Sequence, residues 1–92
     1  MKYERYASKR FRLEGVEMKA TAFHPTAFQH DVFAVTIYPT HKKFLLDKYT
    51  AFTQVKANSP QEAIEKAKEE LDYDIRKIVN REKEEHRKLI KV

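Results

Sequence analysis

Apolar and polar residues alternate along the first two-thirds of the chain, and apolar residues recur every three to four positions along the last third. The period of two marks half-buried strands and the longer period marks an amphipathic helix. The single glycine sits in Leu13-Glu14-Gly15-Val16, where a two-residue hairpin loop needs the positive φ that glycine adopts without strain. Such a loop sets Leu13 opposite Val16, Phe11 opposite Met18 and Lys9 opposite Ala20. Phe11, Leu13, Val16, Met18, Ala20 and Ala22 then share one face, so the apolar sets of both arms agree. The other face carries Arg10, Arg12, Glu17, Lys19 and Thr21, with Arg12 opposite Glu17 as a charge pair.

The segment from His24 to Asp31 contains Pro25 and reads as a connecting loop. Val32 to Tyr38 is β-branched and aromatic and reads as a strand with Phe33, Val35 and Ile37 inward. Pro39 to Lys48 fits either a short helix capped by Thr40 or an extension of the sheet, and the reading leans to strand. Tyr49 to Ala57 alternates Tyr49, Ala51, Thr53 and Val55 with Thr50, Phe52 and Gln54, as a last strand would. Ser59-Pro60-Gln61-Glu62 then offers a capping serine, a proline suited to the first helical position and a Ser-x-x-Glu capping box. Neither Gly nor Pro occurs from Gln61 to Val92, and Ala63, Ile64, Ala67, Leu71, Ile75, Ile78 and Val79 form one stripe. Glu62/Lys66, Asp72/Arg76 and Glu84/Lys88 add four-apart pairs. The expected fold is α+β in one domain spanning residues 1–92. An antiparallel sheet of three to four strands lies within 1–57, and a long C-terminal helix running from about 60 to 80 or beyond covers one of its faces.

Size and composition narrow the classes. A chain of 92 residues without cysteine has no disulfide frame, no thiolate metal site and no cysteine nucleophile. One glycine excludes glycine-rich phosphate loops. The longest unbroken apolar run, Val32 to Val35, is far short of the roughly 20 residues that a membrane-spanning helix needs, and the charged start lacks a signal-peptide core. The expectation is a cytoplasmic protein without membrane association. In so small a chain little apolar material is spared for a deep enclosed site.

Charge is unevenly distributed. Residues 1–12 hold five cations and one anion, 13–31 one and three, 32–41 none, 42–58 four and one, and 59–92 nine and nine, which gives the net +5. The excess lies on Lys2, Arg5, Lys9, Arg10 and Arg12 and on Lys42, Lys43, Lys48 and Lys56. Strand parity turns several of these away from the core. Arg10, Arg12, Lys19, Lys48 and Lys56, with Phe52, Tyr38 and Phe23 between them, have the chemistry to hold a phosphate backbone and stack on bases. No Arg-Gly-aromatic strand signature, glycine clamp loop or Cys/His finger accompanies them.

A second feature is the length of the helix. About 20 residues cross a domain of this size, so Gln61 to Val79 suffices. Asn80 to Lys88 is polar all round and ends in Leu89-Ile90-Lys91-Val92. This segment is expected to overhang the sheet and offer Arg81, His86, Leu89, Ile90 and Val92 to another protein or to a second copy in a homodimer.

Catalytic parts are sparse. His24, His30, His41 and His86 lie in separate segments without the spacing that places two metal ligands on one helix face. His24 and His30 can approach across one loop, where exposed, solvated rings are the expectation. No buried carboxylate in a cleft is expected, and Ser8 has no base beside it while Ser59 is a cap. The sequence thus points to a protein without enzymatic activity or cofactor. Its leading role is a protein-binding module, a small regulator or inhibitor that resembles phage-type or accessory proteins in composition alone. The alternative is nucleic-acid binding through the basic, aromatic-bearing sheet face.

Overall fold

Two positive φ angles close the first hairpin, Glu14 at 51° and Gly15 at 84°. They match the right-handed twist of the flanking strands β1 (Tyr6–Leu13) and β2 (Val16–Phe23). In this computed structural model, which describes residues 6–25, 30–41 and 49–90, the register is the expected one: Leu13 faces Val16, Phe11 faces Met18 and Lys9 faces Ala20. β3 (Val32–Pro39) pairs antiparallel with β2, and β4 (Ala51–Lys56) pairs antiparallel with β3, giving a four-stranded open sheet in the order β1-β2-β3-β4. The Thr40 N–H donates to the Glu17 carbonyl at 3.0 Å and the Ala57 N–H to the Asp31 carbonyl at 2.9 Å, carrying the ladders one step past the strand ends. Of the segment Pro39 to Lys48, where the sequence leaned to strand, residues 42–48 lie outside the described residues; β3 ends at Pro39, and Thr40 and His41 turn.

Strand parity decides what is buried. Met18, Ala20, Ala22, Phe33, Val35, Ile37, Ala51 and Val55 face the helices. Against them pack Ala63, Ile64, Ala67, Leu71, Ile75, Ile78 and Val79, the stripe read from the sequence. The alanines at 20, 22, 51, 63 and 67 let helix and sheet approach closely, and larger Phe33, Met18, Ile37 and Tyr49 fill the space around them.

Ser59 caps α1 (Pro60–Glu70): its hydroxyl accepts from the Glu62 N–H at 3.1 Å, with Pro60 at the start of the helix. Glu62 returns to the Asn58 N–H at 2.6 Å, one residue before the cap rather than on it. One expectation needs correcting, because the long helix is two. Leu71, at φ −98° and ψ 16°, separates α1 from α2 (Asp72–Ile90), although Leu71 N–H still reaches Ala67 and Ile75 N–H still reaches Leu71, both at 2.8 Å. No helix breaker marks the place. Leu71 is buried there, and the two segments settle separately, α1 across all four strands and α2 over β2 and β3.

The Asp72–Arg76 pair forms at 2.9 Å. The Lys66 ammonium instead donates to the Lys56 carbonyl at 2.7 Å, tying α1 to β4. The molecule is 51 Å along its longest axis, more than the roughly 30 Å of a sphere of this chain length. No helix among the described residues is long and apolar enough to cross a membrane.

Candidate functional site

The helices cover one face of the sheet, and register assigns the residues of the other. Arg10, Lys19 and Tyr38 form one cross-strand row, since Arg10 faces Lys19 and Lys19 faces Tyr38. The next row is Ser8, Thr21, Thr36 and Phe52. Beyond it lie Phe23, Ala34 and Gln54, then Val32 and Lys56, while Arg12 and Glu17 stand at the hairpin end. Neighbours in a row are about 5 Å apart and rows about 7 Å apart. Among the described residues this face therefore carries four cations (Arg10, Arg12, Lys19, Lys56) and one anion, Glu17.

Exposure follows the chemistry. Arg10, Arg12 and Lys56 are exposed, and Lys19 and Tyr38 are partly so. Phe52 is 53% exposed, more than the Tyr38 and Phe23 rings of the same face. Glu17 lies 4.0 Å from Arg10, its diagonal neighbour, rather than pairing with Arg12 directly opposite. Both side chains are well exposed, so the pair constrains Arg10 weakly. Of the residues proposed for this face from sequence, Arg10, Arg12, Lys19, Phe23, Tyr38, Phe52 and Lys56 are brought together. Lys48, Lys2, Arg5, Lys42 and Lys43 lie outside the described residues. Lys9 points to the helices and pairs with Glu65 at 3.0 Å, holding that carboxyl below the usual carboxylate range. The hydroxyls of Ser8 and Thr36 were not singled out from sequence, although the same parity that places Arg10, Thr21 and Phe52 on this face selects them.

The second candidate surface lies at the end of α2, where the sequence placed Arg81, His86, Leu89, Ile90 and Val92. Arg81 is exposed, α2 remains helical to Ile90, and the side chains of residues 86–90 and all of Val92 lie outside what is described. The domain reaches one turn further than the apolar stripe indicated. Glu82 is only 7% exposed and takes the His41 Nε2 at 2.6 Å. Lys83 reaches Glu14 in the hairpin turn at 2.8 Å, and that hydrogen bond, with the charge of Lys83, lowers the Glu14 pKa. Glu82 is thus a buried carboxylate that the sequence did not lead one to expect, held by the residues that follow β3.

His24 overturns a further expectation. It is 7% exposed, stacks on Phe33 with ring centroids 4.3 Å apart, and donates from Nδ1 to the Val32 carbonyl at 3.0 Å. His30, which is exposed, stands edge-on to it at 6.0 Å. Among the described residues no group of three or more His, Cys, Asp or Glu side chains is placed to hold a metal ion. A shallow groove between β4 and α1, lined by Gln54, Val55, Lys56, Lys66, Glu69 and Glu70, mixes both signs of charge. Thr53 donates to Glu70 beside it. Comparison with protein-family models, with curated proteins and with solved structures found no match to this chain.

Proposed function

We propose that this chain acts by binding rather than by catalysis, and that its ligand is a nucleic acid held on the uncovered face of the sheet. The observation that carries this reading is the placement of four cations, one anion, the Tyr38 ring and a half-exposed Phe52 on one continuous surface opposite the helices. Phosphates supply the charge complement and bases supply a partner for an exposed ring. The helical half of the chain, with nine cations and nine anions from residue 59 onward, brings no competing field. Fluorescence anisotropy with labelled oligonucleotides at low salt tests it: binding that weakens as salt rises supports the proposal, and no binding to single-stranded or duplex probes removes it.

A second reading keeps the helix tip as a contact for another protein or a second copy. The continuation of α2 to Ile90, two turns past the buried Glu82, favours it. Light scattering on the full chain and on a chain ending at Glu85 decides the homodimer form. A dimer mass that falls to a monomer on truncation supports it, and a monomer mass for the full chain rules it out.

A further inference from the structure

We infer that the polynucleotide held by this face is single-stranded, with phosphate at Arg10 and Lys19 and successive bases against Tyr38 and Phe52. This rests on the nucleic-acid reading above and adds the class of ligand and the placement of a nucleotide on the face. Cations and rings are interspersed across this face. Among the described residues, Arg10 and Arg12 lie on β1, Lys19 on β2 and Lys56 at the far end of β4, and the same face carries the rings of Phe23 on β2, Tyr38 on β3 and Phe52 on β4. The row Arg10–Lys19–Tyr38 therefore passes from charge to ring within two strand spacings, about 10 Å, and one nucleotide laid along it meets cations with its phosphate and a ring with its base. Phe52 faces Thr36, two residues from Tyr38, which makes Tyr38 and Phe52 diagonal neighbours about 7–8 Å apart. That suits two successive bases of an extended strand.

A duplex does not use this arrangement. Its base faces are stacked on one another, so Phe52, 53% exposed, would lie against sugars and phosphates and lose water without gaining a π-partner. Nor does the face enter a groove. Three strand spacings make it about 14 Å wide, more than the roughly 12 Å of the major groove, which admits a helix or a two-stranded ribbon. Ser8, Thr21 and Thr36, in the row that ends at Phe52, supply neutral donors and acceptors for the sugar and base edges that an unpaired strand exposes.

Anisotropy titrations with one mixed sequence presented as single-stranded DNA, single-stranded RNA and duplex DNA test the inference. Either single strand is expected to bind about tenfold or more tightly than the duplex. Phe52→Ala is expected to weaken single-strand binding about tenfold, with the salt slope unchanged and duplex binding unmoved, and Phe52→Tyr to restore it. Duplex binding as tight as single-strand binding overturns the inference while leaving the nucleic-acid reading in place. So does a Phe52→Ala chain that keeps its circular dichroism and binds single strands like the parent. Failure of all three probes overturns the nucleic-acid reading itself.

Discussion

Neutralising the charged side of the sheet separates an electrostatic interface from an ordinary solvated face. The perturbation is the triple variant Arg10→Ala, Arg12→Ala and Lys19→Ala. All three residues lie on the face away from the core, and the only ion pair lost among the described residues is the exposed Arg10–Glu17 contact at 4.0 Å, so the fold is retained. Each phosphate neutralised on a single strand contributes about 0.7 to the slope of log affinity against log salt. Four cations on the face give a slope near −2.8, hence about a 50-fold loss of affinity from about 50 to 200 mM salt. With Lys56 alone remaining, the slope falls to about −0.7 and the loss to about threefold. Lys48, outside the described residues, would add the same increment to both slopes and leave their difference of about 2.1 unchanged. The assay is anisotropy over a salt series, with Lys77→Ala on the exposed side of α2 as the control. Parallel slopes for parent and triple variant, or an equal change from Lys77→Ala, would refute the reasoning.

Three further predictions concern the scaffold. Gly15→Ala places a Cβ at φ 84° with nothing within 4 Å of it, so the cost is backbone strain alone: about 1 kcal/mol, read as a melting-point drop of about 4–8 °C, with Gly15→Asn closer to the parent because asparagine tolerates this region. Ser59→Ala removes the acceptor for the Glu62 N–H and should cost about 1 kcal/mol in urea unfolding, whereas Ser59→Asp should keep most of the stability; equal losses would contradict capping as the cause. Glu14 and Glu65 both have carboxyl pKa values lowered by hydrogen bonds from lysines. A lowered folded-state value means stabilisation that is present above the unfolded carboxylate range and lost as pH falls through the folded value. Glu14→Gln should therefore be less stable than the parent near neutrality and converge with it in acid, and a gap that stays constant with pH would exclude the Lys83 pair as its source.

Much of this architecture is legible because several local signals agree. Gly15 fixes the loop length, the loop fixes the register, and the register puts Phe11, Leu13, Val16 and Met18 on one side, so an error at any step would have exposed itself as a split apolar face. Ser59 and Pro60 mark the helix start in the same redundant way. The break at Leu71 has no such mark: no proline or glycine is present, and the interruption comes from how two helical segments fit one sheet, which is tertiary information. His24 was misread because a polar ring beside Pro25 suggests an exposed loop. It nevertheless continues the inward series of residues 18, 20 and 22, and its ring covers Phe33. Glu82 likewise continues the spacing of Leu71, Ile75, Ile78 and Val79. A charged residue at such a position is buried only when partners arrive from elsewhere, here His41, distant in sequence. Arg12 and Glu17 are opposite as expected, yet register does not decide which long side chain bends toward the carboxylate, and Arg10 is the one that does. On the candidate interface, parity identifies the residues of the face, while the exposure of Phe52 depends on what packs beside it in three dimensions.

The most direct test of the central claim is a heteronuclear NMR titration of the labelled chain with a short single-stranded oligonucleotide at low salt. The account predicts shift changes at Arg10, Arg12, Lys19, Thr36, Tyr38 and Phe52, with the outer positions of α1 and α2 unmoved. Changes centred on residues 81–90, or none on the sheet at saturating ligand, would contradict it.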